Sequence, residues 1–564
     1  MSTAASADDA AAPPPDVADA RALADATDAL VAAAVTRLAA LTAGGETIDE
    51  HQVAVEVVTC AATEARVARA LLDAVDANPS SGPAFRHPAL CAVAGLHRAA
   101  RDRLDTVAAV PGLDLDDALD AARAPAVRAA LARLGDERHL RAIGRAVIET
   151  GGKNPWPLEP TLAEIRASVR QFADRAVAPR AEQLHRHDDL VPDDIIAAMA
   201  DLGYFGLSIP EADGGHELGN LAMILTTEEL SRASLAAAGS LITRPEILAK
   251  ALLAGGTPAQ RQAWLPRIAS GELMAAISVT EPDTGSDVAA VSCRATPATD
   301  ADGRPGWRIT GAKAWCTFAG RADVIALLAR TDPEPSRGAR GLSLFIVEKP
   351  RFDGHAFTAE QPGGGRLTGK ADRTPGYRGM HSFTLAFEDW FVPAANLVGE
   401  EGGQGRGFYL QMAGFAAGRL QTGGRACGLA QAALEQTAAY VATRRQFGRP
   451  IGDFGLTQHQ LGLMATRLAA ARAITYAAAA AMDADERAAA PLAAQAKLFA
   501  SDVAVEVTQR GQVLHGGWGY AEEYPISRHV VDALVLPIFE GVRPILVLKV
   551  IARALLAAAG LVKS

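Results

Sequence analysis

The hydrophobic period of this 564-residue chain changes twice, near Gly271 and again after Val398, and that double switch limits the folds open to it. Before Gly271, apolar residues recur every three or four positions, as in RALADATDALVAAAVTRLAAL, which is the spacing of one buried helix face. Between the switches, WRITGAKAWCTFA, DVIALLART, LSLFIVEK and SFTLAFEDWFVP are short β-branched or aromatic runs bounded by Gly, Pro and Asp. That texture reads as a small antiparallel β-domain. After Val398, long Ala-rich helical stretches return with short loops between them, as in an antiparallel helix bundle. The fold class is α+β, in the order helices, strands, helices.

A chain of this length exceeds a single core. Residues 1–18 are acidic and Pro/Ala-rich, without the basic start and apolar centre of a signal peptide, and read as a disordered lead-in. Residues 19–150 form an all-α N-terminal extension of four to six helices, broken at TAGGET, NPSSGPAFRHP and VPGLDLDD. ETGGKNPWPLEP is a linker into a second helical domain over 151–275, followed by the β-domain at 276–397 and the bundle at 398–564. EHQVAVEVVTCAATEARVARALL in the extension echoes QHQLGLMATRLAAARAITYAA in the bundle. Ala-rich amphipathic helices converge easily, so coincidence is the favoured reading.

The net charge of −10 speaks against binding nucleic acid through a basic surface. No window has the ~20 uncharged apolar residues of a membrane span. Five scattered cysteines without a CxxC pair make a disulfide framework or zinc site unexpected and suit a reducing cytoplasm. In the extension, His51, Cys60, His87, Cys91 and His97 lack metal-ligand spacing and read as packing or surface residues.

Several short stretches bear on chemistry. In ISVTEPDTGSD, Thr280, Ser286 and Asp287 can hold a turn through their side chains, and Gly285–Ser286 can present backbone N–H groups to a phosphate; alone, the stretch is a tight loop. GAKAWCTFAG puts Trp315 and Thr317 on one strand face, either as core or as a wall for a planar cofactor. TRRQFGRPI and VLHGGWGY add a basic cluster and a glycine pair. In LPIFEGVRP, Glu540 follows an apolar run, and is either a surface acid or a tuned base.

Taken together and in order, TEPDTGSD, WCT, FEDWFVP, RRQFGRPI, HGGWGY and IFEG resemble the acyl-CoA dehydrogenase family of flavoproteins over about residues 160–560. The resemblance implies an N-terminal helical domain, a central β-domain and a C-terminal four-helix bundle, with FAD between the last two and across a dimer interface. It implies that Ile277, Val279 and Thr280 hold the flavin ring, with Gly285 and Ser286 near the phosphates and Trp315 and Thr317 on the isoalloxazine. Arg444, Gln446, Gly516 and Gly517 would meet the FAD of the neighbouring subunit, and Ser286 and Gly541 would also border the acyl-CoA. Two positions depart from the family: Val513 stands where Gln is usual, with Gln512 one place earlier, and Val542 stands where Thr is frequent.

Glu540 aligns with the family's catalytic base. Removing the weakly acidic α-proton of an acyl thioester calls for a base of raised pKa in a dry pocket. The resemblance implies that the β-hydride goes to flavin N5, and that the Glu540 N–H and a ribityl hydroxyl meet charge on the thioester oxygen. The long extension and GYRGMHSFTLAFEDWFVPAANLVG look like a subfamily that converts (2S)-methylsuccinyl-CoA to mesaconyl-CoA, in the ethylmalonyl-CoA route. Such a substrate needs a cation for its carboxylate. Arg244 in GSLITRPEIL is either that cation or a surface arginine, and Arg419 matches a family arginine near the active site.

The expected partners are an acyl-CoA and electron-transfer flavoprotein, with no nucleic acid and no membrane. The extension is expected to cover the face through which relatives pair dimers into tetramers, giving a homodimer of about 117 kDa from 58.6 kDa chains. A short-chain monocarboxylic dehydrogenase, an oxidase on the same scaffold and a non-catalytic scaffold remain alternatives. A nitroalkane-type oxidase would carry Asp where Glu540 stands.

Overall fold

The computed structural model describes residues 13–559. Most of the lead-in lies outside them, and the part inside ends earlier than expected, because Asp16 caps a helix that begins at Val17. The extension holds six helices: α1 (Val17–Leu41), α2 (Gln52–Ala77), α3 (Pro83–Asp105), α4 (Asp116–Ala122), α5 (Pro125–Leu134) and α6 (Glu137–Glu149). The break at NPSSGPAFRHP ends sooner than the sequence suggests. Pro83 sits at the first position of α3, where its missing N–H costs nothing.

The extension does not close its own core. Leu30, Leu38, Val55, Val58 and Leu104 from α1, α2 and α3 share one apolar cluster with Leu546, Val547, Ile551 and Leu556 from the far end of the chain. Lys549 reaches Asp49 at 2.8 Å and Arg543 reaches Glu56 at 3.5 Å. The second helical domain comprises α7 (Pro160–Phe172), α8 (Ala178–His187), α9 (Asp193–Asp201), α10 (Gly219–Ala233), α11 (Thr243–Gly255) and α12 (Pro258–Ala269).

The β-domain is a sheet of eight strands: β1 (Ala275–Ser278), β2 (Arg294–Thr299), β3 (Pro305–Thr317), β4 (Val324–Arg330), β5 (Leu342–Glu348), β6 (Ala356–Glu360), β7 (Arg366–Ala371) and β8 (Ser382–Pro393). Their order is β1-β4-β2-β3-β8-β7-β6, with β5 paired to β4. The sheet is not wholly antiparallel as expected. β1 runs parallel to β4, with Ala275 opposite Val324 and Ser278 opposite Leu327. The whole β2–β3 hairpin intervenes between them, the kind of long crossover that a parallel pair requires.

Three long helices follow, α13 (Gly407–Thr443), α14 (Gly455–Ala484) and α15 (Glu486–His515), with a small β9–β10 hairpin (Arg445–Gln446 and Arg449–Pro450) between the first two. The fourth column of the bundle is interrupted: α16 (Gly517–Tyr520), α17 (Ile526–Ala533), a loop carrying Glu540, then α18 (Arg543–Ile545), a π-helical turn Leu546–Ile551 and α19 (Ala552–Ala558).

Close packing ties the parts together. A Cβ on Gly144 of α6 would lie 1.8 Å from the Gln458 carbonyl oxygen, so only glycine lets α6 lie this near α14. Trp156 of the linker sits edge-on between Phe85 of α3 and Tyr476 of α14, at 5.0 and 5.4 Å between ring centres. Arg472 of α14, fully buried, donates to Glu228 of α10 at 2.6 Å and to the Asn154 carbonyl at 2.6 Å. The sequence echo falls on α2 and α14, which pack against each other.

Candidate active site

Glu540 and Gly541 both have left-handed backbones, with φ of 54° and 98°. For a glutamate that conformation is strained and persists only where the surroundings impose it. Lys497 of α15 imposes part of it, donating from Nζ to the Gly541 carbonyl at 2.7 Å. The Glu540 carboxylate is turned inward, 7% exposed, and accepts from Arg244 Nη1 at 3.1 Å. Arg244, 6% exposed, is therefore a buried residue of α11 and not a surface one. Gly418 of α13 lets the acid in, since a Cβ there would stand 3.0 Å from Glu540 Oε2.

Three further cations lie near Glu540. Arg419 lies along the same helix near Gly541, with its Nε buried and unpaired among the described residues. Burial lowers its affinity for a proton and the nearby Glu540 restores part of it. Arg425, fully buried, donates to Thr422 Oγ1 at 2.8 Å and lies over the Phe539 ring at 4.5 Å. Burial pushes its guanidinium down to about 10. Lys497, 1% exposed, is pushed down to about 7 by the same cause, against the pull of Glu540. The sequence reading missed Arg425 and Lys497. Both are charged residues in otherwise apolar helical runs, GGRACGLA and AAQAKLFA, which is the signal that could have flagged them.

The strand end bearing Trp315 and Thr317 joins this pocket through one loop. Phe318 N–H donates to the His381 carbonyl at 2.8 Å, Tyr377 N–H donates to Asp532 at 2.7 Å, and the Tyr377 ring meets Phe539 edge-on at 5.7 Å. Burial pushes the Cys316 thiol up to about 12, and Arg244 is near enough to oppose part of that shift. The expected shared face is not observed. A β-bulge between Lys313 and Cys316 breaks the two-residue alternation, leaving Trp315 at φ 58° and 58% exposed. Thr317 is buried, its Oγ1 at 3.0 Å from Ser382 Oγ.

The loop after β1 is held differently from expectation. Among the described residues, neither Thr280, Ser286 nor Asp287 bonds the turn through its side chain; Glu281 does. Its carboxylate accepts from the Ser292 and Cys293 N–H groups at 2.8 Å each and from Lys313 Nζ at 3.0 Å. Lys313 is wholly buried and also donates to the Val279 carbonyl. This fixed base leaves Ile277 half-buried, Val279 buried, Thr280 half-buried and Gly285 and Ser286 exposed.

Arg444, Gln446, Gly516 and Gly517 line one cavity of about 600 Å³ with Tyr440, His515 and Trp518. Both glycines face open space. Val513 lines it too, whereas Gln512 turns away and donates to the Gly519 carbonyl. An exposed indole beside a buried hydroxyl, an exposed Gly-Ser turn and an arginine in an open cavity suit a planar ring with a pyrophosphate tail.

Comparison with known proteins agrees. Family models match for the acyl-CoA dehydrogenase N-terminal domain over residues 159–272, the middle domain over 276–390 and the C-terminal domain over 405–556. The (2S)-methylsuccinyl-CoA dehydrogenase of Cereibacter sphaeroides is 41% identical over 79% of this chain and 77% of that one. Butyryl-CoA dehydrogenase from Megasphaera elsdenii superposes with a TM-score of 0.63 at 29% identity, over 70% of this chain and 98% of the other. A glutaryl-coenzyme A dehydrogenase in complex with glutaryl-CoA gives 0.62 at 30%, over 70% and 94%. This chain belongs to the acyl-CoA dehydrogenase family, FAD-dependent oxidoreductases that act on the CH–CH bond of acyl-CoA thioesters.

Proposed function

We propose that this acyl-CoA dehydrogenase acts on an acyl group that carries its own carboxylate, with (2S)-methylsuccinyl-CoA as substrate and mesaconyl-CoA as product. The observation that carries the reading is the charge imbalance at the base: Arg244, Arg419, Arg425 and Lys497 are all buried near Glu540, and Asp502 pulls on Lys497 less than Glu540 does. Buried cations without acids are costly, and a substrate carboxylate would relieve the excess. The name of the Cereibacter relative supports the same choice.

In this reading Glu540 takes the α-proton. Its own N–H has no hydrogen-bond partner among the described residues and is free to donate to the thioester oxygen. Arg244, which pairs with Glu540 in this structure, transfers to the substrate carboxylate, which frees the base. Lys497 holds the Glu540–Gly541 turn and Arg419 adds positive charge beside it, with Ser286 and Gly541 bordering the thioester. Bound FAD supplies the acceptor for the β-hydride. Ile277, Val279, Thr280, Gly285, Trp315 and Thr317 would hold it from one subunit, and Arg444, Gln446, Gly516 and Gly517 from the other. A homodimer is supported by the exposed apolar groups near that cavity, Phe447, Tyr520, Val513 and Leu456. Five free, buried cysteines suit a reducing cytoplasm, and electron-transfer flavoprotein is the proposed acceptor. Among the described residues, no helix is long and apolar enough to cross a membrane.

The test is anaerobic addition of butyryl-, isovaleryl-, glutaryl- and (2S)-methylsuccinyl-CoA to the purified flavoprotein. Loss of the oxidised flavin band with methylsuccinyl-CoA alone, abolished in Glu540→Gln, is the expected result. Bleaching by a monocarboxylic ester at equal rate would discard the substrate.

A further inference from the structure

The extension holds a cluster that the acyl-CoA chemistry does not use. His87 and Cys91 lie one turn apart on α3 and so share a face. Helix α6 brings His139 against them. The three ligand-type atoms all lie within 4.8 Å of one another. We propose that His87, Cys91 and His139 form a binding site for one divalent transition-metal ion of the zinc class.

The orientation of each group supports this. His139 Nε2 lies 3.1 Å from the Arg133 carbonyl oxygen, so its proton sits on that nitrogen and the Nδ1 lone pair points inward. A backbone carbonyl behind a histidine is the usual outer support of a metal ligand. His87 Nε2 is 2.9 Å from that Nδ1, with the two ring planes at 86°. The Cys91 thiol makes no hydrogen bond among the described residues and is buried.

Two nitrogens and one sulfur form a donor set for zinc-class ions and not for calcium or magnesium, which take oxygen ligands. Bond lengths of about 2.0–2.1 Å to nitrogen and about 2.3 Å to sulfur require the imidazoles to part by only a few tenths of an ångström. His87 is half-buried, which leaves a side from which water can complete the tetrahedron. On binding, the Cys91 thiol gives its proton to solvent and the His87 Nε2 proton is replaced by one on Nδ1. The net release is one proton, and no electron moves. The ion would cross-link α3 to α6, the helix that lies in glycine contact with α14.

The test uses the full-length, FAD-loaded protein after dialysis against a chelator. Cobalt(II) is titrated in, and the spectrum of the flavoprotein alone is subtracted. The expected result is a thiolate-to-cobalt charge-transfer band that saturates at one equivalent per chain, is bleached by zinc, and is absent in Cys91→Ser. Cys60→Ser, which alters another buried cysteine of the extension, keeps the band. His139→Gln loses tight binding while the flavin spectrum stays, which serves if Cys91→Ser does not fold. No band with cobalt in excess, or a band that survives in Cys91→Ser, overturns the site and leaves a histidine–histidine hydrogen bond beside an inert thiol.

Discussion

Arg244→Met tests the link between the buried charges and the substrate. Arg244 and Glu540 touch at 3.1 Å, and each side chain is more than nine-tenths buried. Truncating one partner of a buried, hydrogen-bonded charge pair costs about 2–5 kcal/mol. On the proposed reading Arg244 leaves Glu540 to meet the substrate carboxylate, so one contact is exchanged for another and part of the gain cancels. The loss should fall at the lower end, about 2–3 kcal/mol, or about 30–140-fold in kcat/KM for methylsuccinyl-CoA. Butyryl-CoA brings no carboxylate, and its base is freed by the substitution, so its kcat/KM should hold steady or rise. Both esters are assayed with the same dye acceptor after the flavin content of the variant is matched to the parent. Equal falls for the two esters would refute the reasoning, because they would mean that Arg244 serves the base or the fold and does not select the acyl group.

Gly418→Ala places a methyl 3.0 Å from Glu540 Oε2 and 3.1 Å from Ile247 Cδ1. Displacing the base should lower kcat by up to about 100-fold with the far-ultraviolet circular dichroism unchanged; full activity would mean the acid moves freely. Lys497 loses its charge as pH rises through about 7, so KM for the dicarboxylic ester should rise across that range and KM for butyryl-CoA should not, with Lys497→Met flat throughout. The same depressed proton affinity makes the unfolded chain bind the extra proton between about 7 and 10.5, so this residue's cost to folding grows as pH falls through that window and is absent in Lys497→Met. Arg472→Met leaves Glu228 buried without its closest cation and should destabilise the chain by about 3–5 kcal/mol in chemical denaturation, and a loss under about 1 kcal/mol would show that Arg166 compensates.

The parts of this molecule that were readable in the sequence are those written in consecutive residues. The change of hydrophobic period located the β-domain, and the run up to Glu540 followed by glycine marked a special acid because both features are local. Of the cation cluster, Arg244 and Arg419 were singled out in the sequence and Arg425 and Lys497 were not, because the four come from α11, α13 and α15 and meet only when those helices pack. Glu281 and Lys313 form one contact across a turn of chain that no spacing rule connects, and they displaced the turn-holding role expected of Thr280 and Asp287. The bulge at Trp315 was invisible because strand alternation assumes a regular partner, and the extra residue is defined by its pairing with β8. In the extension, His139 lies too far from His87 and Cys91 for any ligand spacing, yet helix packing joins them.

The shared core of the first three helices and the last ones sets a timetable for synthesis. The apolar faces of α1, α2 and α3 that wait for Leu546, Val547 and Leu556 are made long before those partners. At ~5–20 residues per second the nascent extension spends tens of seconds with that surface open. Its final docking can occur only after the loop bearing Glu540 has left the ribosome. The loop bearing Glu540 and the helices that complete the core of the extension are therefore delivered together, and a chain truncated near residue 540 would lose both.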